Sequence, residues 1–141
     1  MKEVTGIKFK KEMPESHAYF TLFQSTGWNK FYKANPADFN TAISNSWYML
    51  CAYNEKDELI GFGRIVSDGI LYAFICDMIV LPAYQNQGIG SNILERLIEK
   101  CKAEGIRILW LFSASSKSSF YKKHGFNERP SDSPGMQLTL C

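Results

Sequence analysis

The sequence predicts a mixed α/β fold, with a central sheet that is antiparallel in its early strands and ends in a parallel pair joined by a crossover helix. Three observations carry that expectation. Apolar runs separated by turn residues occupy positions 47–81, as in an antiparallel meander. Across 88–104 the apolar residues Ile89, Ile93, Leu94, Leu97, Ile98 and Cys101 recur at helical spacing. The segment 106–112 (IRILWLF) then reads as a near-continuous apolar strand, and a strand, a helix and an apolar strand in that order form a right-handed crossover.

In chain order, the segment carrying Lys8, Lys10 and Lys11 alternates like a short strand. Residues 14–26 open with Pro and Glu and end before Gly27, which suits a helix with a defined start and stop. Asn35 and Pro36 supply the cap and first residue of a second helix ending near 44. Strands over 47–53 and 59–66 flank the polar turn 54–58, and Ser67-Asp68-Gly69 turns the chain into a third strand over 70–81. Gly105 closes the long helix. A short helix over 116–124 ends at Gly125, and a last strand is expected over 136–140.

With 141 residues, the chain is expected to be one domain over 1–141, with a core large enough to fold without staples. Hydrophobic residues at 45% and charged residues at 21% exclude a disordered or collagen-like chain. Cys51, Cys76, Cys101 and Cys141 are dispersed, with only His17 and His124 to supplement them, so no metal site is expected. No basic start leads into an apolar signal core, and reduced thiols in the cytoplasm are the expectation. The longest apolar tract, 70–84, contains Asp77 and Pro82 and falls short of the ~20 residues of a membrane span. A net charge of +2 with scattered basic residues does not indicate nucleic-acid binding.

At the junction of the third strand and the long helix, Gly88 and Gly90 stand two apart. Glycines there let a ligand approach the backbone, where unpaired amides and the helix dipole make a pyrophosphate-sized anion site. Close packing of helix on strand is the other reading of the same glycines. A dinucleotide fingerprint needs glycine where Ile93 stands, and no Gly-Lys-Ser/Thr of a P-loop is present.

Gln85-Asn-Gln-Gly88-Ile-Gly90, preceded by Val80-Leu-Pro82-Ala-Tyr84, resembles the acyl-CoA pyrophosphate loop of the GCN5-related N-acetyltransferase (GNAT) family. Phe120-Tyr-Lys-Lys-His-Gly125-Phe126 resembles the Phe-Tyr-x-x-x-Gly-Phe segment that follows the second parallel strand of that family, and the order and roughly 30-residue gap agree. Gly27-Trp28, Ser67-Asp68-Gly69 and Gly135-Met136 are similar to a subgroup that includes plant chloroplast arylalkylamine acetyltransferases. One departure is the stretch 113–117, where serines stand in place of the pantetheine-binding Asn of many members.

The resemblance implies a GNAT-like acyl-CoA N-acyltransferase fold with acetyl-CoA as cosubstrate and no metal. Ile79 and Val80 would face the pantetheine arm, and Gln85, Gln87, Gly88, Ile89, Gly90 and Ser91 would line the phosphates. Tyr121 takes the position of the general acid that protonates the departing thiolate. Phe120 beside it, counted with the cofactor-binding residues, is expected to point the other way into the core. Family members are often dimers, so a homodimer is expected.

An amine attacks a thioester only as the free base, and an ammonium with a pKa near ~10 must first lose a proton. Asp77 is the only acidic residue in the tract 70–84, and a carboxylate on a mostly buried strand needs a partner or solvent. It serves as the base, or it faces a solvated groove or caps a loop. Glucosamine-phosphate acetyltransferases of the family carry an acidic residue at the matching position that acts through water, which favours the base. The resemblance further implies an acceptor site built by the early helices, the meander turns and the C-terminal segment, here Trp28, Phe31, Tyr32, Trp47, Tyr72 and Met136, of which Trp28, Phe31 and Tyr72 are the substrate-binding candidates, although most aromatics of such a chain belong to the core. The expected activity is acetyl transfer to the primary amine of a small molecule. Protein lysine or N-terminal amines as acceptors, and an acyl-CoA-binding module without turnover, are the alternatives.

Overall fold

A computed structural model describes residues 4–141; the first three residues of the polar N-terminal stretch lie outside the described residues. The chain divides into two compact units, residues 1–111 and 112–141.

The first unit holds a five-stranded sheet in the order β1 (Lys8–Lys10), β2 (Tyr48–Tyr53), β3 (Leu59–Ser67), β4 (Tyr72–Val80) and β5 (Ile108–Leu111). The first four strands pair antiparallel and β4 pairs parallel with β5, which is the mixed sheet expected. Between β1 and β2 lie α1 (Ser16–Gln24), α2 (Asn29–Tyr32) and α3 (Pro36–Ser44). Pro82–Tyr84 forms a single 3₁₀ turn after β4, and α4 (Ile89–Ala103) crosses over to β5.

Local chemistry sets most boundaries. Glu15 caps α1, its carboxylate accepting from the amides of His17 and Ala18, so the helix begins two residues after Pro14. Asn35 and Asp38 form a reciprocal capping box on α3, with Pro36 at its first position. The strand expected from residue 70 begins only at Tyr72, because Asp68 Oδ1 accepts from the amides of Ile70, Leu71 and Tyr72 and extends the turn. The one-turn helix α2 was not expected; its last residue is followed by Lys33 at φ 53°, and four residues carry too little periodicity to announce themselves.

Side-chain alternation assigns the two faces of the sheet. On one face Phe62 meets Tyr19 edge-on at 4.8 Å between ring centroids, and Leu22, Phe23, Phe39, Ile43 and Ile79 complete a core beneath α1 and α3. On the other, α4 lies directly over Gly61 and Gly63. A Cβ on Gly63 would stand 2.9 Å from both Ile93 Cγ2 and Met78 Sδ and 3.0 Å from Leu97 Cδ1, so the helix approaches as closely as glycine permits. Gly63→Val is expected to cost about 2–3 kcal/mol and to lower Tm by roughly 5–10 °C in thermal denaturation; an unchanged Tm would contradict this packing.

The second unit contains α5 (Ser118–Lys123), ended at His124 and Gly125, and an irregular tail. The strand expected over 136–140 is not formed. Met136, Leu138 and Leu140 are 82–89% exposed, so the alternation Met-Gln-Leu-Thr-Leu has no buried face to occupy and no ladder partner to fix it. Arg129 holds part of this tail through Ser133, donating to its carbonyl and its hydroxyl.

Candidate active site

The site in the first unit begins with an interruption of β4. The ladder to β3 runs from Ser67↔Ala73 to Arg64↔Cys76 and resumes at Phe62↔Ile79, so Asp77 and Met78 together oppose Gly63 in a β-bulge. Asp77 stands at φ 54°, a left-handed conformation that aspartate tolerates better than most residues. The ladder from β4 to β5 stops at Ile75↔Leu111, and beyond it the β5-facing edge of β4 carries no strand pairing among the described residues. An extended ligand with amide groups could add itself to such an edge.

Asp77 finds a partner on the neighbouring strand. Arg64 Nε donates to Asp77 Oδ2 at 2.6 Å, and the two side chains keep only 16% and 20% of their exposure. Arg64 Nη1 also donates to the carbonyl of Ala42 and to Ser46 Oγ at the end of α3. Burial works against the guanidinium charge, but the Asp77 carboxylate outweighs it and holds Arg64 above its ordinary pKa. Reading the sequence for Asp77 alone misses Arg64, though a signal was there: these are the only two formally charged residues in β2, β3 and β4.

β4 leads directly into the glycine loop. Gln85 Nε2 donates back to the Val80 carbonyl at 2.9 Å and Gln87 Nε2 to the Ala83 carbonyl at 3.3 Å, so both glutamine amides shape the loop itself. The Tyr84 hydroxyl accepts from Asn54 Nδ2 at 2.9 Å, tying the loop to the β2–β3 turn. Asn86 at φ 63° and Gly88 at φ 86° turn the backbone into the N-terminus of α4, and Gly88 provides no side-chain cap. The first amides of this fifteen-residue helix lie at the positive end of its dipole. A pyrophosphate fits this chemistry: among the described residues only Val4 Cγ2, at 3.7 Å, comes within 4 Å of a Cβ built on Gly88, and that left-handed position favours glycine.

The remaining expected residues are distributed unevenly. Ile79 is buried in the core against α1, so only its backbone can serve a ligand, whereas Val80 is half-buried at the end of the strand. Trp28 packs edge-on against Phe23 at 5.8 Å and belongs with the core. Phe31 is exposed on α2 beside Tyr32, and Tyr72 is exposed at the start of β4, stacked on Trp110 with centroids 5.2 Å apart and planes 12° apart. No described contact joins either of them to Asp77.

In the second unit, α5 presents Tyr121 between Phe120, 5.1 Å away edge-on, and Phe126 at 6.0 Å. Burial raises the Tyr121 phenol above its ordinary pKa of 10.0, which keeps it protonated across the neutral range. Phe120 is half-buried, with its ring against those of Tyr121 and His124 rather than turned away from Tyr121. Among the described residues no group of three or more His, Cys, Asp or Glu side chains could hold a metal ion. No described helix is long and apolar enough to cross a membrane.

The bulged strand thus leads through the glycine loop to a helix whose cap residue, Gly88, makes no side-chain hydrogen bond, and comparison with known proteins gives the class of the chain. Residues 45–128 match the acetyltransferase (GNAT) domain family. The chain is 30% identical to the N-acetyltransferase ycf52 of Pyropia yezoensis over 92% of its own length and 78% of that protein's. It is 32% identical to the GCN5-related N-acetyltransferase 1, chloroplastic, of Arabidopsis thaliana, over 82% of this chain and 58% of that one. Among solved structures, SA2161 from meticillin-resistant Staphylococcus aureus superposes with a TM-score of 0.84 at 27% identity, covering 95% of this chain and 99% of the other. The GNAT family acetyltransferase SP0256 of Streptococcus pneumoniae gives 0.79 at 30% identity, covering 95% and 98%. The chain belongs to the GNAT family and is an N-acetyltransferase by class.

Proposed function

We propose that this chain moves the acetyl group of acetyl-CoA to the primary amine of a small molecule, by direct attack of the amine on the thioester. The observation that carries the proposal is the edge of β4 beyond Ile75, unpaired among the described residues, which leads through the glycine loop to the N-terminus of α4. The pantetheine arm adds to that edge, along the backbone of Ile79 and Val80. The pyrophosphate lies on the amides of the loop from Gln85 to Ser91, and the residues of 1–141 act as one catalytic domain. Free thiols at all four cysteines suit a reducing compartment, and we place the enzyme in the cytoplasm as a homodimer.

In the chemical step the amine nitrogen forms a bond to the acetyl carbon as the carbon–sulfur bond breaks. Asp77 takes the amine's proton through a water, a backbone amide near the end of β4 faces the oxyanion, and Tyr121 donates its proton to the departing thiolate. Phe31 and Tyr72, both exposed, are the aromatic surfaces offered to the acceptor.

Asp77→Asn is the informative variant for the base, since asparagine also tolerates the left-handed backbone at this position. It strands the Arg64 charge, which costs roughly 1–3 kcal/mol, less than a fully buried pair because both side chains retain some exposure. Activity is expected to fall most at low pH, where the ammonium is hardest to deprotonate. A pH–rate profile identical to wild type would remove Asp77 from the proton path.

A second reading, a CoA-binding module without turnover, draws on the commitment of Asp77 Oδ2 to Arg64. Calorimetry with CoA, paired with thiol release from acetyl-CoA across arylalkylamines, polyamines, aminoglycosides and peptides, separates the two. Binding with turnover on a small amine supports the enzyme, turnover on peptides alone moves the acceptor to protein amines, and binding without turnover on any amine supports the module.

A further inference from the structure

Beneath the Arg64–Asp77 pair lies a group that neither the packing nor the proposed chemistry uses. Tyr19, on α1, is 1% exposed, with its ring edge-on to Phe62 and tilted against Phe39 at 5.6 Å. Among the described residues, its hydroxyl oxygen is buried without a hydrogen-bond partner. A buried hydroxyl that donates to nothing costs stability, and phenylalanine would fill the same space without that cost. The hydroxyl stands close to Asp77, yet not at hydrogen-bond geometry. Asp77 accepts through Oδ2 from Arg64 Nε.

We propose that Tyr19 is a positioning residue for Asp77: its O–H is the donor that fixes the carboxylate when the acceptor amine is in place, with Arg64 holding one oxygen and Tyr19 steadying the group from below. The proposal rests on the acetyl-transfer reading above. A carboxylate has about four lone-pair sites, so two protein donors leave room for the water that carries the amine's proton. The charged and titratable groups that meet here are Tyr19 from α1, Arg64 from β3, and Asp77 with its neighbour Cys76 on β4. Burial first, and the negative charge of Asp77 next, hold the Tyr19 phenol far above its ordinary pKa, with Arg64 acting in the opposite sense. The group therefore remains a donor at every working pH.

Tyr19→Phe tests this, because it deletes one oxygen and keeps the ring. The expected result is a Tm equal to or above wild type, unchanged CoA binding by calorimetry, and a kcat/KM for the amine reduced by about five- to fiftyfold, as for loss of one hydrogen bond to a charged group. The loss is expected in kcat, with KM for acetyl-CoA unchanged, since the donor acts only when the acceptor amine is in place. In an Asp77→Asn background the same substitution should change kcat/KM no further. Wild-type kcat/KM in Tyr19→Phe, or a full further loss on adding Tyr19→Phe to Asp77→Asn, would overturn the proposal. A wild-type chain that acetylates no amine would instead overturn the acetyl-transfer reading, and the positioning role with it.

Discussion

Tyr121→Phe is expected to lower kcat for acetyl transfer by about ten- to a thousandfold, the usual worth of a positioned general acid. The thiolate of coenzyme A leaves more easily if a proton or hydrogen bond reaches it as the carbon–sulfur bond breaks. Burial keeps the phenol protonated, so any loss of rate from its ionisation falls above pH 10.0, outside the working range. Phenylalanine retains the edge-on contacts with Phe120 and Phe126, so folding should be little affected and Tm is the control. Steady-state kinetics with saturating acetyl-CoA reads the effect. A variant with wild-type kcat would leave the thiolate's proton to another donor and remove Tyr121 from the mechanism.

The second large effect is expected at Gly88. At φ 86° a β-branched residue is strained by roughly 1–2 kcal/mol, and its side chain would stand at the mouth of α4 where the pyrophosphate is placed. Gly88→Val should raise the Kd for CoA at least about tenfold. Gly88→Asn separates the two causes, because asparagine accepts the left-handed backbone but still adds a side chain. If both variants lose binding while Gly88→Asn keeps its Tm, the side chain itself excludes the phosphates. Wild-type affinity in both would move the anion site away from this helix terminus.

What the residues alone disclose here follows from whether the signal is local. The order of strands, the crossover and the start of α4 are written in short-range patterns: six apolar residues on one helical face, a capping box at Asn35, glycines at 88 and 105. The tail over 136–140 shows the limit, because alternation records a preference that is realised only where a partner strand and a buried face exist. Asp77 was identifiable as an acid in an apolar tract, but its bulge, its left-handed backbone and its bond to Arg64 depend on register across two strands. Tyr19 carried no sequence signal at all. One aromatic on an amphipathic helix reads as core, as its ring is, and only its contacts in three dimensions show the oxygen without a partner beside Asp77.

The most direct measurement of the central claim is the balance of products when the purified chain is incubated with acetyl-CoA and a panel of primary amines. Mass spectrometry of the amine, together with quantification of free CoA thiol, should show an N-acetylated small molecule formed in equimolar amount with the thiol, at a rate proportional to enzyme. Thiol release without any acetylated amine, or CoA binding with neither product, would contradict the account.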